Sequence, residues 1–435
     1  MIACMYAGYG AMMISRQMVT ILSPALLKDE SLGFTVKDTG DILAFGTIGA
    51  MVGKLIWGPT ADRIGGRSTF LLGIFLTALL IAAFGLSYNV LAFTLFSAAS
   101  YATKSSGWPG MTKLVGNWIP PSSYGRIWAI LSTSSRASVF LGTLLFGYLL
   151  SHFHWRTVAF ISTGTALLIY VLCQLFLRER PEMTAPGGAA MTANTTSDLE
   201  KTTTANARTG ASAPHPLDGT NLWQGLSAFA KSPRVYWVVL MLMMLTCAMA
   251  FLDFLPAYLL EVYNLEDSQA AMASAVMPLG SLLGLLLSIA FYDRFSKRQL
   301  RGILTLMLIC ATGCIFILQS LAGYDLGDTM RFGLALSLIV VFGVSTAPAY
   351  YIPMSIFSIE YGGPHSATLV SLIDMFAFAA SASFGFLAGR LAAGAGGWDS
   401  FMNLLLAIGM AAAVSTWFFM RGEARQSASR TESTG

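Results

Sequence analysis

Four basic residues, Arg16, Lys54, Lys104 and Arg136, interrupt long apolar stretches in the first part of the sequence. A charged side chain in such surroundings is costly, so it marks a functional site by default. The planar guanidinium of an arginine binds carboxylate or phosphate through two parallel hydrogen bonds and stays charged. The chemistry that these residues offer is the binding of a small anion.

The acidic residues of this first part lie only at the ends of the apolar stretches or between them. We therefore predict an electropositive cavity, in which Arg16 and Lys54 are the first candidates for contact with the anion. Arg136 and Lys104 are further candidates. The alternative is that these side chains bind carbonyl groups or extend along their helices to the surface. Three aromatic residues are weaker candidates for the cavity wall, because aromatic residues in helices more often only pack: Trp108, Tyr350 and Tyr351.

Two acidic residues, Asp253 and Asp374, lie inside apolar stretches of the second part. Asp374 is about nine residues, or roughly 14 Å, into its helix, a depth similar to that of Arg136. It could neutralise a basic residue in one conformation or take up a proton, which would couple transport to a proton gradient. For Asp253 a structural or gating role is an equally good interpretation.

Composition restricts the class of protein that could hold these residues. The chain has 435 residues, of which 55% are hydrophobic and 11% are charged. Soluble domains carry about 25% charged residues, so soluble enzymes and nucleic-acid binders are excluded. The sequence has no nucleotide-binding or hydrolytic motif. We expect a multi-pass membrane protein that is not an enzyme, with no cofactor, no metal and no nucleic-acid partner.

Twelve stretches are long and apolar enough to cross a bilayer as helices. They are 2–26, 39–60, 68–87, 91–116, 124–150, 155–177, 235–261, 268–292, 300–322, 330–357, 366–390 and 399–420. We predict a six-helix bundle over 1–177, a largely disordered linker over 178–234, a second six-helix bundle over 235–421 and a tail over 422–435. Polar, low-complexity sequence such as that of the linker cannot build a core.

The basic residues outside the helices indicate the orientation. Most of them lie on the side that carries the linker and the carboxyl terminus, which places both chain ends in the cytoplasm. We expect a monomer in a bacterial inner membrane or plasma membrane.

The two halves share a repeat near their second helices. Two glycines four residues apart precede an Asp-Arg pair in each half, and such glycines allow helices to approach closely. The matched residues are Gly49, Gly53, Asp62 and Arg63 in the first half, and Gly280, Gly284, Asp293 and Arg294 in the second. Repeated halves with a ligand site between them are common in transporters.

The segment from Gly58 to Arg67, which reads GPTADRIGGR, resembles the signature loop of the major facilitator superfamily. The resemblance implies an all-α membrane protein in which twelve helices form two pseudo-symmetric six-helix bundles. It also implies a latch on the cytoplasmic side. The gating residues would be Asp62, Arg63, Arg67 and Arg126, with Asp293 and Arg294 as the second copy. The alternative is a solvated loop whose charges serve only the orientation.

Further motifs resemble one subgroup, the organophosphate:phosphate antiporters. Arg16 and Lys54 match basic residues of that subgroup, and the segments 107–109, 128–134 and 253–259 match its motifs. Ala248 stands where bacterial members have a second arginine, and Ser135 replaces a histidine next to Arg136. The resemblance implies a secondary transporter of a small organic anion, an organophosphate or a carboxylate, in exchange for phosphate.

Two alternatives stay open. One is a proton-coupled carboxylate symporter or an exporter, since the phosphate clamp of the subgroup is altered. The other is a membrane sensor of a phosphorylated metabolite, because the fold alone does not fix the function.

Overall fold

The computed structural model describes residues 1–29, 32–34, 36–180, 215–265, 267–321, 327–392 and 394–434. Regular structure within these residues is helical. The first half contains α1 (Ile2–Lys28), α2 (Val36–Ile64), α3 (Gly66–Gly85), α4 (Val90–Lys104), α5 (Gly107–Trp118), α6 (Tyr124–His152) and α7 (Trp155–Phe176). Then come α8 (Leu222–Lys231), α9 (Pro233–Met249), α10 (Phe251–Tyr263), α11 (Asp267–Ser274), α12 (Val276–Phe291), α13 (Lys297–Ser320), α14 (Asp328–Gly362), α15 (Ser366–Ala392) and α16 (Gly397–Thr434).

The helices reproduce the twelve predicted spans, but three spans are interrupted. The fourth is split into α4 and α5, the seventh into α9 and α10, and the eighth into α11 and α12. Proline explains two of these breaks, because it removes the hydrogen bond to the carbonyl four residues earlier and crowds that carbonyl. Pro109 disturbs the helix at Ser105, and Pro278 disturbs it at Ser274.

Eight helical segments of the described chain are long and apolar enough to cross a membrane. One of them, Asp328–Ala392, contains both α14 and α15, joined by a short 3₁₀ turn. The first, second and fourth spans complete the twelve, and these three contain Arg16, Lys54 and Lys104.

The predicted repeat is visible in the packing of the two halves. A Cβ atom on Gly49 or Gly53 would lie 2.1 or 2.3 Å from a backbone oxygen of α4. One on Gly280 or Gly284 would lie 2.3 Å from a backbone oxygen of α14. The same glycine pair thus produces the same close helix crossing in each half, since only a residue without a side chain fits there.

The end of the linker differs from the expectation of disorder. Residues 181–214 lie outside the described residues, but the next stretch forms a turn and then α8. Asn221 and Gln224 form a capping box at the start of α8, and Phe229 is buried. Capping satisfies amides that a helix start leaves free, and the Phe229 ring packs against Tyr361 of α14. We call the end of the molecule at which α8 lies the linker end.

The predicted tail also contains a packed residue. The last helix, α16, continues through it, and Glu423 is 4% exposed. Its carboxylate pairs with Arg234 at the start of α9 and lies 3.4 Å from Lys297 Nζ at the start of α13. The helix therefore extends because the tail carries a partner for two basic residues of the second half.

Replacing Gly284 by Ala tests the close crossing of α12 and α14. The added Cβ would overlap the Val344 carbonyl oxygen, and overpacking of this kind costs about 1–3 kcal/mol. We expect a lower midpoint of thermal unfolding in detergent. Gly313→Ala is the matched control, since a Cβ there meets no atom within 4 Å. Equal midpoints for the two variants would contradict this packing.

Candidate functional site

A cavity of about 470 Å³ lies between the two halves. It is lined by residues of both halves, and eight of the predicted site residues are among them. Its lining residues are Tyr9, Met13, Thr47, Ala50, Lys54, Tyr101, Lys104, Ser105, Trp108, Ser135, Arg136, Val139, Thr246, Met249, Ala250, Leu252, Asp253, Tyr350, Tyr351, Met354, Asp374, Phe378 and Ser381. The volume fits a small organic molecule, because ligand pockets commonly measure about 300–1,000 Å³.

An ion pair between Lys54 on α2 and Asp374 on α15 joins the two halves at this cavity. Lys54 Nζ donates a hydrogen bond to Asp374 Oδ2 at 2.5 Å. The two side chains are only 8% and 13% exposed. Breaking a buried pair leaves an uncompensated charge and is strongly destabilising, so any motion that separates α2 from α15 needs a replacement partner for each group.

Lys104, at the end of α4, is held by contacts within the first half. Its Nζ donates to the Ser15 carbonyl oxygen at 3.2 Å and lies 4.3 Å from the centre of the Tyr101 ring. A carbonyl and an aromatic face both stabilise an ammonium group without neutralising it. Lys104 is therefore a further basic side chain in the wall of the cavity.

Arg136, on α6, faces an aromatic surface. Its guanidinium carbon lies 5.4 Å from the centre of the Tyr351 ring on α14, and its Nε is buried without a hydrogen-bond partner. Trp108 lies on the same surface, 6.1 Å from the Tyr351 ring, and its indole N–H is also buried and unpaired. Buried donors are nearly always paired in proteins, so these two donors mark a place for an acceptor.

The remaining predicted contacts have different positions. Asp253 and Tyr350 line the cavity with the residues above. Arg16 belongs to α1, but its side chain is outside the described part of the chain, so its role stays a prediction. The sequence interpretation missed Phe378, whose ring centre lies 5.8 Å from Lys54 Nζ. Its spacing of four residues from Asp374 was the available signal, since such residues share a helix face.

At the linker end, Asp62 binds the start of a helix in the opposite half. Its two carboxylate oxygens accept hydrogen bonds from the backbone N–H groups of Ala367 (3.1 Å) and Thr368 (2.8 Å), at the beginning of α15. Lys113 on α5 lies 3.2 Å from the same carboxylate and also donates to the Pro364 carbonyl oxygen. A carboxylate is favourable at a helix start, which carries partial positive charge and free amides.

Asp293 makes the same contact in the reverse direction. It accepts hydrogen bonds from the backbone N–H groups of Gly125 (2.9 Å) and Arg126 (2.8 Å), at the beginning of α6. The repeated aspartates therefore cap helices across the interface, each in the other half. Both contacts hold the linker end closed in this conformation.

The predicted gating arginines are not in these contacts through their side chains. Arg63, Arg126 and Arg294 are exposed. Arg67 binds within the first half, where its Nε donates to the Leu177 carbonyl oxygen at 2.7 Å. The basic residue that meets Asp62 is Lys113, which the sequence interpretation did not select. The sequence did offer a clue to Lys113: it is a lysine near the end of the fourth predicted span, at a depth in the membrane close to that of Asp62.

The sequence profile of the Major Facilitator Superfamily matches residues 5–382. A "Probable hexose phosphate transport protein" of Chlamydia muridarum is 25% identical over 412 residues, which cover 94% of this chain and 88% of the relative. A glucose-6-phosphate exchanger of Mus musculus is 22% identical over 400 residues, covering 82% of this chain and 73% of the relative.

Solved structures share the arrangement of helices. The major facilitator transporter FucP, in an outward conformation, superposes with a TM-score of 0.69 at 16% identity, covering 96% of this chain and 98% of that one. The proton:xylose symporter XylE superposes with a TM-score of 0.68 at 15% identity, covering 96% of each chain. These likenesses confirm the predicted fold.

Replacing Asp62 by Asn tests the closed linker end. Hydrogen bonds to charged groups contribute about 1.5–3 kcal/mol each, so their weakening shifts the closed conformation toward opening by about tenfold. The probe is Ser371→Cys in a chain without its five cysteines, since Ser371 is buried against Gly58. We expect faster alkylation from the linker side.

The matched control is Arg63→Gln, which changes a charge on an exposed neighbour. Its alkylation rate should equal that of the parent. Equal rates for Asp62→Asn and the parent would contradict a latch at Asp62.

Proposed function

The chain belongs to the Major Facilitator Superfamily, and from this we propose that it is a secondary active transporter of a small organic anion, which it moves by alternating access. Members of this class bind substrate between two repeated bundles near the middle of the membrane. The proposal takes the linker end as cytoplasmic, in agreement with the distribution of basic residues.

One observation carries the proposal: the cavity between the halves contains basic side chains that a soluble or purely structural helix bundle does not need. Lys54, Lys104 and Arg136 reach it from three different helices of the first half. Buried charges of this kind are expensive and are kept for ion or substrate pathways. An anion that enters the cavity would meet a positive surface.

The contacts at the linker end supply the second element of alternating access. Asp62 and Asp293 hold the halves together there, because each accepts hydrogen bonds from a helix start in the opposite half. Opening toward the linker requires both contacts to break, and a bound anion could favour that motion by replacing Asp374 on Lys54. A ligand shifts a conformational equilibrium only by its differential affinity for the two states.

Exchange with phosphate is the first candidate for coupling. It is supported by the relatives named hexose phosphate transport protein and glucose-6-phosphate exchanger. In this scheme Lys54 and Arg136 would bind the phosphate oxygens, because both cations face the same cavity. Arg136 would take the place of the second arginine of the subgroup, whose position is occupied by Ala248 in this chain.

Proton coupling is the second candidate, and the Lys54–Asp374 pair favours it. When an anion neutralises Lys54, Asp374 is left as an unpaired carboxylate in a poorly hydrated site. Taking up a proton removes that cost, because a neutral carboxyl is far cheaper to bury than a charged one. Each anion would then travel with a proton.

Uptake into proteoliposomes tests the transporter assignment. We expect labelled organic anion to accumulate when the vesicles contain phosphate or when a pH gradient is imposed, and Lys54→Gln to lose most of this uptake. Removal of the lysine charge leaves the buried Asp374 carboxylate without its partner. We therefore expect uptake to fall tenfold or more. Absence of flux in every condition, beside ligand-induced stabilisation of the purified protein, would contradict transport and favour a membrane sensor.

Replacing Asp374 by Asn separates the two coupling schemes. If Asp374 carries the proton, uptake driven by a pH gradient should disappear, whereas exchange between anion pools at equal pH should persist. The control is Asp328→Asn, the same chemical change at an exposed residue of α14. Unchanged pH-driven uptake by Asp374→Asn would leave phosphate exchange as the supported scheme.

A further inference from the structure

We infer that the transported anion is a carboxylate with an apolar or aromatic body, bound through its carboxylate by Arg136 and the indole N–H of Trp108. The inference rests on the proposed function and defines the substrate class of the same cavity. It differs from the polyhydroxylated sugar phosphates that the names of the relatives indicate.

Six aromatic residues line the cavity. Tyr351 lies between its neighbours, with ring centres 4.6 Å from Tyr350 and 6.1 Å from Trp108, and Tyr9 lies 5.4 Å from Trp108. Phe378 lies near Lys54. Three methionines add flexible apolar surface: Met13, Met249 and Met354. Such a wall favours a flat or branched apolar body, because aromatic rings stack and methionine adapts to irregular shapes.

Some of the hydrogen-bonding groups of the wall are already engaged within the protein. Among the described lining residues there is no Asn, Gln or His. The Ser105 hydroxyl already donates to the Ala50 carbonyl oxygen at 2.9 Å, and the Thr246 hydroxyl donates to Leu242 at 2.6 Å. A hexose buries several hydroxyls at once, and each one without a partner costs binding free energy. The engaged hydroxyls and the lack of amide side chains therefore favour an anion with fewer hydroxyls than a hexose.

The charge of the lining suits a single negative charge. Three basic and two acidic residues line the cavity, so its net charge is one positive before Arg16 is counted. Lys54 is neutralised by Asp374, and Lys104 is held by Ser15 and Tyr101. This leaves the guanidinium of Arg136, whose planar fork matches the two oxygens of one carboxylate.

The two unpaired donors define where that carboxylate binds. Arg136 Nε and Trp108 Nε1 are both buried without a partner, and both groups contact the Tyr351 ring from different helices. Trp108 is 5% exposed. Because both groups lie near the Tyr351 ring, a carboxylate bound there would offer acceptor oxygens to these donors, with its body near the tyrosines.

The experiment compares ligands on the full chain in detergent and in proteoliposomes. The probes are benzoate, cyclohexanecarboxylate, glucose 6-phosphate and inorganic phosphate. We expect the two carboxylates to stabilise the protein and to be taken up, with affinity at least tenfold higher than that for glucose 6-phosphate. Trp108→Phe keeps the ring and removes the N–H, so carboxylate affinity should fall about tenfold, the usual effect of losing a hydrogen bond to a charged group.

Trp128→Phe is the matched control, because Trp128 has the same buried, unpaired N–H but lies behind Trp108, with ring centres 4.9 Å apart, and does not line the cavity. It should leave carboxylate affinity unchanged. Arg136→Lys, which keeps the charge without the fork, should also weaken carboxylate binding and serves if Trp108→Phe does not fold.

The outcomes distinguish a failure of the carboxylate inference from a failure of the proposed transport function. Glucose 6-phosphate that binds as tightly as the carboxylates, with no effect of Trp108→Phe or Arg136→Lys, would overturn the carboxylate and leave organic-anion transport standing. An equal loss in Trp108→Phe and Trp128→Phe would assign the indole N–H a packing role and overturn the binding site. Neither binding nor flux with any of the four probes would overturn both.

Discussion

Each half of this protein holds the groups that satisfy the charges and free amides of the other. The basic residues of the cavity belong to α2, α4 and α6, whereas its acidic residues belong to α10 and α15. Within a membrane, neither set can be exposed to hydrocarbon without a large cost. The Lys54–Asp374 pair and the two aspartate caps therefore join the halves, beside an apolar core that also contains residues of both.

The same principle operates at the linker end with backbone amides instead of side-chain cations. The starts of α15 and α6 carry free N–H groups, and the aspartates that accept their hydrogen bonds come from the opposite half. A cap that is built across an interface can be made and broken as a unit. This property distinguishes Asp62 and Asp293 from caps such as Ser296 and Asn221, which bind the helices that they begin.

The cavity and the linker end are connected through α15. Asp374 lies on this helix two turns after the amides that Asp62 binds, so one rigid element carries both contacts. A ligand that separates Lys54 from Asp374 would remove one of the two contacts that hold α15 against α2, and would thereby loosen the start of the helix as well. The glycine at 58 allows α2 to lie against α15 between the two contacts, since a side chain there would meet Ser371.

The sequence by itself determined the class, the twelve spans, the repeat and the unusual charges, because hydrocarbon imposes length, composition and charge rules that can be read along the chain. It also selected the five charged residues that line the cavity, since a buried charge is conspicuous in an apolar stretch. It did not determine which charges meet. The partner of Lys54 lies 320 residues away on α15. Asp62 meets Lys113 and a helix start, while the predicted Arg63 and Arg126 are exposed. Only the packing of the two halves decided these pairs, because distance between spans depends on helix crossings that no local pattern encodes. The helix in the linker was missed for the same reason. Its Phe229 packs against Tyr361 of α14, and Thr220 before it hydrogen-bonds with His365, which lies in the turn between α14 and α15.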